Sequence, residues 1–165
     1  MSVRRSGYVF AAMGTTVFSF TLPMVKIALK SFDPWAITFM RMAIAGVTAA
    51  IVFAVKRVPL PPRDLWRTIV LTGAGISIGF PVLSTLAMQR TTSAHGAVII
   101  ASLPLVTALF AVVSHGERVP WTFWAGAITG ALALSTYAWL HGGSADADAF
   151  ADLLLIGAVL SSAFG

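Results

Sequence analysis

Two basic side chains, Lys26 and Arg41, lie within long apolar stretches of the sequence. At about 1.5 Å per residue, Arg41 would lie about 10 Å below the end of its helix. Together with Lys30 and Arg90, these cations would make one half of a helical bundle electropositive, which suits a carboxylate or phosphate group. The alternative is that the long side chains reach polar headgroups and that one of them pairs with Asp33.

Polar side chains form stripes along the same stretches. Thr16, Ser19, Pro23, Lys26 and Lys30 recur at spacings of 3, 4, 3 and 4, which places them on one face of a helix. Two further stripes consist of Thr38, Arg41 and Thr48, and of Thr122, Gly126, Thr129 and Thr136. Such faces are typical of a bundle interior or a water-filled cavity. The alternative is that the hydroxyls bond their own backbone or a neighbouring helix.

Two prolines, Pro81 and Pro104, lie in the middle of apolar stretches. Each removes a backbone donor and frees the carbonyl one turn earlier, so we expect a kink or a broken helix at both places. Freed carbonyls at mid-membrane can bind a solute, and the same device also serves to bend helices. The candidate substrate-binding residues are therefore Thr16, Ser19, Lys26, Arg41, Pro81 and Pro104.

The residues of an enzyme or a metal site are missing from the sequence. All acidic residues fall in or next to connectors: Asp33, Asp64, Glu117, Asp146, Asp148 and Asp152. The histidines form no ligand pattern and there is no cysteine, so we predict no catalytic residue, metal ion or cofactor. No helix centre holds a carboxylate for proton or sodium coupling, and Glu117 is interpreted as a partner of Arg118 or a helix cap.

Small residues at helical spacing predict close contacts between helices. Gly75 and Gly79 are four residues apart, as are Gly126 and Gly130. Glycines at this spacing let two helices approach each other closely. Packing within the bundle is the first interpretation, and contact with a second copy of the chain is the alternative.

The elements that carry these residues are predicted to be membrane-spanning helices. The chain is 58% hydrophobic and 10% charged, with a mean hydropathy of +0.88, whereas soluble domains carry about 25% charged residues. This composition excludes a soluble enzyme or a nucleic-acid binder. It predicts an all-α, polytopic membrane bundle with helices at about 7–29, 34–55, 67–88, 94–114 and 119–140, a linker at 142–149 and an incomplete sixth helix at 150–165.

The positive charges predict the orientation of this bundle. The net charge of +5 comes from basic residues that lie between apolar spans, not from a nucleic-acid-binding patch. Counting Lys and Arg on alternate sides places most of them on the side of the N-terminus, which is therefore predicted to be cytoplasmic.

The start of the sequence is echoed near its end. Residues 12–19 (AMGTTVFS) resemble residues 158–165 (AVLSSAFG), with five predicted helices and the linker between the two starts. An odd number of spans per repeat inverts the next repeat, so we interpret the chain as the first five-helix repeat of an inverted-repeat protein followed by the start of a second.

The order of these motifs resembles the EamA-type transporters of the drug/metabolite transporter superfamily. The first two helices show Phe18, Ser19, Lys26, Pro34 and Arg41 in the family's order. Residues 101–109 (ASLPLVTAL) and 115–119 (HGERV) are similar to the family's fourth-helix proline segment and the loop that follows it. Residues 1–141 are thus identified as a first EamA repeat.

The resemblance implies a multi-pass protein of the cell membrane, the inner membrane in a bacterium, that exports small metabolites, amino acids or drug-like solutes by alternating access. Its partners would be a small solute, with the basic residues pointing to an anionic one, and the lipid bilayer. The family has ten helices, so the chain is expected to be a truncated half-transporter, completed by a missing C-terminal half or in a homodimer. The alternative function is a non-transporting membrane assembly or regulatory protein, in which the polar stripes only pack helices.

Overall fold

The computed structural model describes residues 2–116, 118–140 and 148–165, and this part of the chain contains helices and no strand. The helices are α1 (Ser2–Ser19), α2 (Thr21–Ala28), α3 (Pro34–Lys56), α4 (Trp66–Gly73), α5 (Phe80–Ala87), α6 (Ser93–Ile100), α7 (Leu103–His115), α8 (Trp121–Leu140) and α9 (Ala149–Phe164). Glu117 and residues 142–147 of the expected linker lie outside the described residues, so the interpretation of Glu117 stays a prediction.

Four helical stretches are long and apolar enough to cross a bilayer: Gly7–Ala28, Pro34–Lys56, Arg63–Ala87 and Ser93–Ser114. The helix α8 has 20 residues, a length of about 30 Å at about 1.5 Å per residue. Large apolar side chains point away from the bundle, and Val55 and Val113 are each 76% exposed. Lipid tails rather than water suit such a surface. The chain is a polytopic all-α membrane protein, which confirms the predicted fold class.

The first span is two helices rather than the single helix expected at 7–29. It begins at Ser2, and α1 ends before Phe20, where α2 takes over. The break lies one turn before Pro23, which has no N–H to donate to the Ser19 carbonyl. At the break, the Phe20 N–H donates to the carbonyl of Val17, three residues earlier, at 3.3 Å. This is the hydrogen-bond pattern of a 3-10 turn, which is narrower than an α-helix.

The second span, α3, is defined by clear signals at both ends. One Asp33 carboxylate oxygen accepts from the backbone N–H groups of Trp35 at 2.9 Å and Ala36 at 3.4 Å, and Pro34 occupies the first turn. At the other end Arg57 adopts a left-handed conformation with φ of 48°. Asp33 therefore serves as a helix cap.

The third and fourth spans are interrupted at the two prolines, as the missing N–H groups predict. A 3-10 turn (Arg63–Leu65) leads into α4, and a π-helical segment (Ala74–Gly79) separates α4 from α5, whose second residue is Pro81. Two residues separate α6 from α7, whose second residue is Pro104. The helix expected at 67–88 is therefore a composite of three short elements, α4, the π-helical segment and α5.

The helix α9 lies at the centre of the packing, in contact with α5, the π-helical segment, α6 and α7. One face of α9 is buried, formed by Ala151, Leu155, Ala158, Val159 and Ala163. Leu155, Ala158 and Val159 share a core with apolar residues at the end of the third span, among them Phe80, Ala87 and the following Met88. The sixth helix thus supplies much of the core that holds the third and fourth spans together.

Gly75 and Gly79 allow α9 to approach the third span. A Cβ atom at either glycine would overlap Ser161 of α9, and the Ser161 hydroxyl donates to the Gly75 carbonyl at 3.0 Å. The structure therefore assigns this glycine pair to packing within the chain.

Candidate functional site

Two clefts flank the first span. The larger has a volume of about 840 Å³ and is bounded by the first span, Phe80, the fourth span and α8. The smaller, of about 420 Å³, lies between the first span and α3. Thr21 borders both clefts, so one helix separates the two spaces and contributes to the walls of each.

The larger cleft has a mainly apolar lining. The described residues around it include no charged side chain: Gly14, Thr15, Phe18, Ser19, Thr21, Leu22, Phe80, Ala97, Ile100, Ala101, Leu103, Pro104, Gly126, Ala127, Gly130, Ala131 and Leu134. Two of its hydroxyl groups donate to their own helix, Thr15 to Ala11 at 3.0 Å and Ser19 to Thr15 at 2.8 Å. Their oxygen lone pairs can still accept from a ligand. This surface suits an apolar or aromatic body with few polar groups.

Gly126 and Gly130 form an open part of the wall of the larger cleft. Apart from the glycine itself, its chain neighbours and the nearby backbone of α8, no described atom lies within 4 Å of the position that a Cβ atom would take at either residue. The two glycine pairs, which the sequence does not distinguish, therefore differ in their surroundings. Gly75 and Gly79 are closed by α9, whereas Gly126 and Gly130 leave space beside α8.

The smaller cleft contains the Arg41 side chain. Its Nη1 donates to the hydroxyl of the fully buried Thr85 at 3.4 Å, a long hydrogen bond. Within the described part of the chain the ion pairs join Arg90 to Asp148 and His95 to Asp152, so no described carboxylate pairs with Arg41. A guanidinium has five N–H donors, and this one can bind an anionic group that enters the cleft.

Lys26 lies at the end of the first span and outside both clefts. Its ammonium donates to the backbone carbonyls of Met88 at 2.8 Å and Thr91 at 2.7 Å. The Met88 carbonyl follows the last turn of α5, where helix acceptors lack partners within the helix, and the Thr91 carbonyl lies in the connector before α6. Lys26 therefore ties the end of the first span to the end of the third, a contact that neither of the sequence-based alternatives for Lys26 included.

The predicted site residues are only partly brought together. Ser19 and Pro104 line the larger cleft and Arg41 lines the smaller one, whereas Thr16 and Pro81 line neither. The Thr16 hydroxyl donates to the Ala12 carbonyl of its own helix at 2.8 Å.

Sequence reasoning missed several residues of the cleft walls. The wall from the first span includes Gly14, Thr15, Phe18 and Ser19 of α1, whose spacing is that of one helix face, together with Thr21 and Leu22 of α2. A search for mixed apolar and hydroxyl residues along α1, rather than for polar ones alone, would have selected this face. Phe80, from the third span, carried no comparable signal.

Comparisons with known proteins bear on the chain as a whole. Residues 5–139 match the EamA-like transporter family. The chain is similar to the "Uncharacterized transporter YdeK" of Bacillus subtilis (strain 168), with 37% identity over 143 residues, which cover 87% of this chain and 50% of that protein. It thus spans about half the length of this curated relative. No solved structure matches the chain. The match over residues 5–139 confirms the resemblance seen in the sequence, and the chain belongs to the EamA-like transporter family.

Proposed function

We propose that the chain forms part of the solute pathway of a membrane transporter that exports small metabolites, amino acids or drug-like solutes by alternating access. The observation that carries this proposal is the cleft of about 840 Å³ beside the first span, with its apolar wall and open glycine face. Sites for small molecules are concave, largely apolar and of about 300–1,000 Å³. Membership of the transporter family supports this use of the cleft, and the outward direction is part of the proposal.

The two clefts together favour a solute with an apolar body and an anionic group. The apolar part would occupy the larger cleft, beside Phe80 and Gly126, and the anionic group would reach Arg41 in the smaller one. Thr21 lies at the border of both spaces, where its hydroxyl could bind either part of the solute. A solute without the anionic group would use the larger cleft alone.

The interrupted helices support the alternating-access part of the proposal. The break at Phe20, the π-helical segment and the break before Pro104 all lie in spans beside the clefts. Helices tend to bend or reorient where the regular hydrogen-bond pattern is interrupted. Such motion would open the clefts to one side of the membrane at a time.

A second five-helix unit would complete the pathway, contributed by further chain or by a second copy. The relative of about twice the length supports this arrangement. We place the protein in the cell membrane, the inner membrane in a bacterium, with the N-terminus in the cytoplasm. The distribution of Lys and Arg between the connectors supports that orientation.

The experiment compares two glycine substitutions in the full-length protein reconstituted in liposomes. Gly126→Leu places a side chain in the larger cleft, while Gly46→Leu is a matched control in α3, where a Cβ atom also meets nothing within 4 Å. We expect Gly126→Leu to lower uptake of accepted labelled solutes by about tenfold or more, the effect of a few methylene groups in a binding pocket. Gly46→Leu should transport at the wild-type rate.

The solute panel contains labelled amino acids together with neutral and anionic aromatic dyes. Equal rates for both variants and the wild type would show that the cleft is not the pathway. An equal loss in both variants would also count against it, because then the loss does not depend on the cleft. Protein yield and the thermal unfolding midpoint, measured in detergent, establish that both variants fold.

A further inference from the structure

Two polar side-chain pairs hold the first turn of α9 against the region where the third span passes into the fourth. Arg90 Nη1 lies 3.3 Å from Asp148 Oδ2, and His95 Nε2 lies 2.7 Å from Asp152 Oδ1. The guanidinium carbon of Arg90 also lies 5.0 Å from the centre of the Phe150 ring. The two carboxylates are one helical turn apart on α9, so both pairs act on the same end of that helix.

The two pairs differ in how they respond to pH. Arg90 stays charged at every physiological pH. The backbone N–H of Phe150, with help from Arg90, lowers the pKa of Asp148, so this carboxylate also keeps its charge. Histidine, by contrast, ordinarily titrates near pH 6.5. Of these two pairs, only the one with His95 changes its charge between about pH 5 and 8.

The pair of His95 and Asp152 is also the better shielded of the two. The side chains of His95 and Asp152 are 19% and 31% exposed, whereas that of Arg90 is 57% exposed. Screening by water and salt is weaker for partly buried charges. A change of charge on His95 should therefore affect the docking of α9 more than a change of charge on a fully exposed side chain would.

The protonation of the His95 imidazole depends on the charged groups around it, among them one on α9. His95 lies in the first turn of α6, where the partial positive charge of the helix end disfavours an imidazolium. Asp152 of α9, whose Oδ1 lies 2.7 Å from His95 Nε2, favours the imidazolium. Arg90, in the connector before α6, has its charge paired with Asp148. Lys26 binds the carbonyls of Met88 and Thr91 nearby, and α8, which also packs on α6, contributes Tyr137 as its titratable side chain.

We propose that His95 and Asp152 form a proton-binding site that controls how firmly the first turn of α9 is held on the fourth span. Binding of a proton to His95 strengthens the contact with Asp152, from a hydrogen bond between a neutral imidazole and a carboxylate to an ion pair. Because the two equilibria are linked, docking of α9 favours protonation by the same factor. The contact is strongest near pH 5.5 and weakens towards pH 8.

The site is connected to the larger cleft through α6. Ala97 and Ile100, which follow His95 within the same helix, line that cleft. A looser α9 would free α6 to move, and with it one wall of the cleft. The consequence for transport rests on the proposed function, whereas the consequence for the docking of α9 does not.

The docking of α9 can be measured with a single thiol, because the chain contains no cysteine. Ala151 lies in the first turn of α9 and is fully buried, so a thiol in the Ala151→Cys variant reacts with a water-soluble maleimide only when this turn is released. The rate is measured in the full chain with native His95 and with His95→Gln, and the ratio of the two rates is taken at each pH. This ratio cancels the intrinsic pH dependence of thiol chemistry.

Glutamine can donate a hydrogen bond to Asp152 but cannot bind a proton near neutral pH. We expect His95→Gln to raise the labelling rate about threefold at pH 5.5, the range of a partly exposed ion pair, and to leave it nearly unchanged at pH 8. Arg90→Gln is the matched control and should change the rate by the same factor at both pH values. A ratio for His95→Gln that does not depend on pH would overturn the proposal.

Two further measurements make the result independent of the buried thiol and of transport. The first is nuclear magnetic resonance of the cysteine-free protein, in which the imidazole titration of His95 should move to lower pH in Asp152→Asn. An unchanged titration in that variant would show that the two residues do not interact and would contradict the proposal. In liposomes, the difference in uptake between pH 5.5 and 8 should be lost in His95→Gln and kept in Arg90→Gln. If uptake is absent in every variant, the proposed function fails while the labelling result still decides whether the proton site exists.

Discussion

Single residues show how far side-chain spacing can be used in a membrane helix. The stripe from Thr16 to Lys30 assumes one continuous helix, but the chain breaks at Phe20, so the two parts do not share one rotation. Within α1 itself, Ser19 lines the cleft together with Thr15, four residues earlier, and Thr16 does not line it. The partners of Lys26 lie 62 and 65 residues away, and no local pattern could have identified them.

A substitution of Arg41 can separate an effect on the binding of anionic solutes from an effect on transport in general. Arg41→Gln removes the positive charge and keeps an N–H donor near Thr85. We expect the KM for anionic solutes to rise about tenfold, the strength of a hydrogen bond to a charged group, while uptake of neutral solutes stays within about twofold. Initial rates of uptake in liposomes, measured over a range of solute concentrations, provide the comparison.

Arg67→Gln is the control for this prediction, since Arg67 is exposed in the first turn of α4 and lines neither cleft. It should leave both classes of solute unaffected. If Arg41→Gln changes uptake of anionic and neutral solutes by the same factor, Arg41 does not bind the anionic group.

For the helices, the sequence predicts where the backbone is interrupted better than it predicts which helices pack together. The missing N–H groups of Pro81 and Pro104 predict interruptions, and the structure has them at both prolines. The two glycine pairs have identical spacing, yet one packs on α9 and the other borders a cleft. Spacing alone could not separate these roles, because the difference depends on which helix lies opposite.

The two glycine pairs predict effects of different size for the same substitution. Gly79→Val forces a side chain into the space of Ser161, whereas Gly130→Val meets no atom within 4 Å at its Cβ position. We expect Gly79→Val to lower the free energy of unfolding by about 1–3 kcal/mol, the usual cost of overpacking. Gly130→Val should have little effect on stability. Unfolding curves in mixed detergent micelles measure both, and equal stability of the two variants would contradict the assigned packing.

At the scale of the whole molecule, composition was sufficient for the fold class and insufficient for the arrangement of the helices. A chain with 58% hydrophobic residues must place apolar side chains in lipid, which predicts a polytopic bundle. The central position of α9 and the two clefts arise from contacts between distant segments. These contacts leave no periodic signal in the sequence, because every span in such a chain is apolar on most sides.

The orientation of the bundle is open to a direct test with thiols in connectors on opposite sides. Ser31→Cys lies between the first and second spans, and Val58→Cys follows the second. With a cytoplasmic N-terminus, an impermeant maleimide should label Ser31→Cys in intact cells and Val58→Cys only after permeabilisation. Both positions are exposed, which makes them a matched pair. The reverse labelling pattern would invert the proposed orientation.

The buried face of α9 has a consequence for biogenesis. The fully buried Ala87 and Met88 share their core with Leu155 of α9, and α9 follows the other helices in the order of synthesis. In the lipid, helices insert first and associate afterwards. We therefore expect the third and fourth spans to stay loosely associated in the membrane until α9 has been synthesised and inserted. Slow translation or late insertion of that helix would prolong the period in which membrane proteases can recognise the nascent protein.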